Sequence, residues 1–194
     1  MIVGAFIGVL FLTAAFAAYR LATRLSERTA SDVPLFLQKM EMEALYGAFH
    51  PEADEHFRST LSSKKFRQVQ WKRIHLALHY CKIISANAWV IQGWAKHERG
   101  QNWDMLEEQL QQTILSLRDS CVQCRLSSLM IRLSLRWWLV RMVLLPFAPP
   151  PSFAMLVRRG SSDMISFYEN VKAMAEIFSL AYGDDYHQKL MQSL

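Results

Sequence analysis

Residues 103–138 read WDMLEEQLQQTILSLRDSCVQCRLSSLMIRLSLRWW. Trp103, Leu110, Leu117, Cys124, Ile131 and Trp138 recur every seven residues, with Leu106, Ile114 and Cys121 beside them. A seven-residue apolar repeat is the seam of long helices packed with a left-handed twist, so the stretch predicts a long helix lying against another. Its partner precedes it. From about Ser63 to Lys96 or His97 apolar residues keep helical spacing, with Phe66, Ala77, Ile84 and Ile91 on one face, and ERGQN around Gly100 supplies the break. The two form an antiparallel hairpin that ends before Pro146.

Outward from the hairpin, PFAPPPS (146–152) is a stiff connector, because proline cannot continue a helix. Beyond it, Ser162 caps a helix with Met164, Phe167, Tyr168, Val171, Met174, Ile177, Phe178 and Ala181 on its apolar face, and Gly183 closes it. On the other side, SERTASDVP (26–34) is polar and turn-rich, and Ser31 or Asp32 can cap a helix with Pro34 in its first turn. That helix, over 35–50 with Leu35, Leu37, Met40, Ala44, Leu45 and Phe49 at helical intervals, is the first of two short ones. The second starts at Pro51, with Glu52, Asp54 and Glu55 where a helix dipole favours acids. Seven Gly, six Pro and few Val/Thr alternations agree with an all-α chain.

The chain opens MIVGAFIGVLFLTAAFAAYRLATR, with no charged side chain from Met1 to Tyr19 and then Arg20, Arg24 and Arg28. AFAA at Ala15–Ala18 resembles a peptidase site, but no basic residue precedes the apolar run, as a cleavable signal requires. A helix of 19 residues rises roughly 28 Å, about the thickness of a bilayer core. Residues 1–19 therefore read as a single transmembrane anchor, 20–33 as a juxtamembrane linker, and 34–194 as a helical domain. Arginines after the span place the N-terminus outside and the domain in the cytoplasm. Three cysteines are too few for a secreted disulfide framework, which agrees. Gly4 and Gly8 form a GxxxG pair, a spacing at which two membrane helices can approach and dimerise.

Residues 126–145 form a second apolar segment, but three arginines near a bilayer centre cost about 8 to 10 kcal/mol against about 5 returned by its apolar residues. It should not cross by itself. It can lie along a membrane surface or form core with an arginine-lined edge.

The net charge of +5 is unevenly spread. No Asp or Glu lies between His56 and His97, nor between Asp119 and Asp163. Lys64, Lys65, Arg67, Lys72 and Arg73, interleaved with Phe66 and Trp71, make with Arg20, Arg24 and Arg28 the expected contact with an anionic surface. Membrane lipids are the expected partner, joined by a protein partner or self-association through helices. Nucleic acid, which uses the same mixture of basic and aromatic residues, is the weaker alternative.

His75 and His79 at i and i+4, with Cys121 and Cys124 at i and i+3, could supply four zinc ligands if the hairpin turned at Gly100 and set them level. The helical wheel argues against it, placing the cysteines in the seam and the histidines on a flank. No cofactor is expected on this count. A metal-binding or thiol-redox enzyme remains the alternative from another class, although missing phosphate-loop, dinucleotide, zinc-protease and nucleophile-elbow strings weigh against catalysis. The leading expectation is a membrane-anchored helical protein with a structural or interaction role.

Overall fold

The computed structural model describes residues 28–101, 103–145, 147–156 and 160–194. The expected anchor, with Gly4, Gly8, Arg20 and Arg24, lies outside the described residues. Among those described, no helix is long and apolar enough to cross a membrane, and residues 126–145 are no exception. The order is α1 (Val33–Phe36), α2 (Met42–Phe49), α3 (Glu52–Thr60), α4 (Ser63–Gln101), a 3-10 turn (Trp103–Met105), α5 (Glu108–Leu144), a single helical turn (Ala154–Leu156), α6 (Ser162–Leu180) and α7 (Asp184–Ser193). The described chain is all-α, a bundle built on the α4–α5 hairpin.

The hairpin register follows from three contacts. Arg67 donates to the carbonyl oxygens of Met142 and Leu145, Ser128 Oγ donates to the Cys81 carbonyl at 2.6 Å, and Arg125 donates to Gln92 Oε1. The seam is the expected heptad: Ile114, Leu117, Cys121, Cys124, Ile131, Leu135 and Trp138 are buried. The turn differs. α4 runs through Gly100 to Gln101, since glycine permits a helix to end without requiring it. Trp103 and Leu106 lie in the connection, where the Gln111 side-chain amide donates to both their carbonyls and satisfies the turn.

α6 packs against both arms of the hairpin. Met164 sits between Cys81 and Cys124, and the Trp94 and Phe178 rings meet at a tilt of 43° with centres 4.6 Å apart. Tyr168 meets Asn87, which also holds the non-helical segment after α1. The Gln38 N–H donates to Asn87 Oδ1 at 2.8 Å, and Asn87 Nδ2 donates to the Gln38 carbonyl at 2.8 Å and to Tyr168 Oη at 2.9 Å. The carboxamide thus substitutes for the peptide partner that a non-helical segment lacks. At the end of α6, Gly183 adopts φ +92°, a left-handed conformation that favours glycine, and the chain reverses into α7.

The acids expected to serve the α3 dipole include one with a different task. Asp54 is buried, and its Oδ1 accepts from the Arg73 guanidinium and from Gln70 Nε2. Its Oδ2 accepts from Ser152 Oγ at 2.8 Å and from the Phe153 N–H. Arg73 also donates to the His50 carbonyl and lies 4.3 Å from the centre of the Phe153 ring, which packs edge-on against Phe49 and Trp138. One carboxylate therefore joins α3, α4 and the proline-rich connector.

Asp54→Ala strands a buried guanidinium and frees the connector; it is expected to lower stability by about 3–5 kcal/mol, measured by urea unfolding. Asn87→Ala is expected to cost about 2–4 kcal/mol through the unpaired Gln38 peptide groups. A loss below about 1 kcal/mol for either, the scale of one ordinary hydrogen bond, contradicts these assignments.

Candidate anionic-surface site

The N-terminus of α4 meets the C-terminus of α5, and Arg67 bridges them. Its two bonds go to carbonyls at the last turn of α5, those of Met142 and of Leu145, the latter also accepting from the Ala148 N–H at 3.1 Å, and its positive charge faces the negative helix end. Around this junction the α4 face opposite the stripe of Phe66, Gln70 and Ile74 exposes Lys64, Lys65 and Lys72, with Trp71 39% exposed among them. Phe147, just past α5, is 99% exposed. Arg58, Lys64, Phe66, Arg67 and Phe147 line a cleft of 570 Å³, and Lys64, Arg67, Gln68, Trp71 and Lys72 line the neighbouring one. His75 Nδ1 lies 2.9 Å from the Trp71 carbonyl, and its ring lies 5.2 Å from the indole. Ammonium groups around aromatic bodies suit contact with phosphate-bearing surfaces.

Two expected members are placed elsewhere. Arg73 is buried on Asp54, because its position on the helix faces α3 and not solvent. Arg28 stacks over Phe36 at 3.7 Å and lies 5.4 Å from the Trp89 ring centre. Trp89 is 25 residues along α4 from Lys64, roughly 37 Å at the helical rise, so Arg28 belongs to a different part of the surface.

The zinc set is not assembled either. His75 and His79 are exposed, whereas Cys121 and Cys124 are fully buried. With Cys81 level with Ser128, His79 falls opposite Met130, and Cys121 lies about two and a half turns away. The displacement arises because the turn falls near Asp104 and not at Gly100. Among the described residues no group of three His, Cys, Asp or Glu could hold a metal ion. Burial pushes the Cys81 and Cys124 thiols up to about 12, against a smaller opposing pull on Cys81 from Arg132 and the Ser128 hydroxyl, and it raises Cys121 well above its ordinary value. Such thiols are small core side chains and poor nucleophiles.

The segment 126–145, which the sequence leaves open between a membrane surface and the core, divides between the two faces of α5. α5 carries a second apolar row, Leu126, Met130, Leu133, Trp137, Val140 and Leu144, on the side away from α4, and every member is exposed. Its intervals of four, three, four, three and four are written in the sequence beside the buried heptad. Trp137 and Trp138 divide between the rows: the first is 64% exposed and the second 3%. Comparison with protein-family models, curated proteins and solved structures gives no match to this chain.

The buried thiols set an alkaline limit. An unfolded thiol ionises near about 8.5, while the folded ones hold their protons to about 12. The stability they contribute is complete below about pH 8.5 and is lost as pH rises towards 12, at about 1.4 kcal/mol per pH unit for each thiol. Urea midpoints are expected to fall steeply above pH 9, with native thiols slow towards Ellman's reagent; midpoints unchanged to pH 11 contradict the burial.

Proposed function

We propose that the chain is a single-pass membrane protein whose helical domain has a structural or interaction role at the cytoplasmic face. The observation that carries this reading is the gathering of exposed Lys64, Lys65 and Lys72 with Trp71 and Phe147 at one end of the hairpin, on long helices free of acids there. Each basic group near an anionic leaflet contributes about 1 kcal/mol, and an anchor would hold that end beside headgroups at high effective concentration. The charge-free run of residues 1–19, followed by three arginines, is the sequence support for the anchor and its orientation. Among the described residues the thiols are buried and the histidines stand apart from them, which favours this reading over the redox and metal alternatives.

Because the native cysteines are buried, topology can be read from one introduced thiol. Gln68→Cys, on the exposed face of α4, is expected to react with a membrane-impermeant maleimide in inside-out vesicles and not in intact cells, with the protein retained in the pellet after carbonate washing. Labelling from outside intact cells, or release by carbonate, overturns the proposal. Salt-dependent DNA binding without affinity for anionic vesicles points to nucleic acid instead.

A further inference from the structure

The outer row of α5 extends the membrane reading to a second surface. Leu126, Met130, Leu133, Trp137, Val140 and Leu144 fall within an arc of about 80° on a helical wheel, and the row runs roughly 27 Å along the helix. Met130 is 66% exposed and Leu144 69%. A continuous apolar row of this length on a soluble surface marks a place where something docks.

The charges beside the row identify the occupant. Arg136 is exposed on one edge and Arg141 half-buried on the other, and no acid occurs in the chain between Asp119 and Asp163. α4 likewise carries no acid from Ser63 to His97. A second copy of the row would oppose arginine to arginine with no carboxylate between them, which disfavours self-association on this face. An anionic bilayer satisfies both features. Leucine, valine and methionine enter the acyl boundary, Trp137 sits at headgroup level, and the guanidinium groups reach lipid phosphates. We propose that the outer face of α5 is a lipid-docking surface that lays the hairpin lengthwise in the interface of an anionic membrane. The inference rests on the membrane reading for where the chain resides, but it concerns a different surface and fails separately.

The test uses the full chain carrying Leu133→Cys, or Val140→Cys as a second position, labelled with nitrobenzoxadiazole. Nanodiscs of phosphatidylcholine alone are compared with nanodiscs of equimolar phosphatidylcholine and phosphatidylglycerol. In the anionic discs the label is expected to shift to the blue and to be quenched by lipid bearing a doxyl group near the headgroup. A label at exposed Glu176→Cys on α6 should stay in water, and adding Arg136→Glu and Arg141→Glu should abolish the shift at Leu133. A label that remains in water in both discs overturns the inference. Shielding that is equal in both discs and insensitive to doxyl lipid also overturns it, since protein then covers the row. Co-elution of the chain with the discs reports on the anchor independently, so an anchored chain with a solvated label sinks the docking surface alone.

Discussion

The structure depends most on the buried carboxylate of Asp54. Removing a carboxylate and a guanidinium from water costs several kcal/mol per ion, and the cost is offset only if the remaining acceptors find donors. Asp54 meets that condition by taking Arg73 and Gln70 on one oxygen and Ser152 and the Phe153 N–H on the other. The arrangement decides where the chain goes after the hairpin. Phe153 is fixed between Arg73, Phe49 and Trp138, which directs α6 to the flank occupied by Met164 and Tyr168. The opposite flank of α5 remains open, and the apolar row there keeps its exposure.

Much of this was legible in the sequence. The heptad of α5, the long apolar face of α4, the proline connector and the glycine at 183 are local signals, each produced by the spacing or conformation of neighbouring residues. The location of the turn was not, because a glycine permits a break without requiring one, and α4 passes through Gly100. That shift of a few residues moved every cross-hairpin pairing, His79 with Cys121 among them. Asp54 looked like one of three acids at a helix start, and only packing between segments remote in sequence distinguishes it from Glu52 and Glu55, which are exposed. Arg73 was misplaced for the same reason. For residues 126–145 the spacing leaves surface and core both open, because a buried heptad and an outer row share one helix and only packing against α4 and α6 tells Trp137 from Trp138.

The basic end and the outer row give the hairpin two surfaces of related chemistry. Cationic side chains from α4 surround Trp71, and arginines from α5 border Trp137. Both lie on stretches of helix free of acids. Beneath them the interior has its thiols held protonated by burial and Asn87 saturated by Gln38 and Tyr168. A rigid, chemically quiet interior beneath cationic, partly apolar surfaces is consistent with holding a position beside anionic lipid.

The most direct examination of this account is a nitroxide scan of α5 from Leu126 to Leu144 in anionic bilayers, reading accessibility to oxygen and to a water-soluble nickel chelate at each position. The account predicts oxygen maxima at Leu126, Met130, Leu133, Trp137, Val140 and Leu144, out of phase with the nickel maxima. Nickel maxima at those six positions would contradict it.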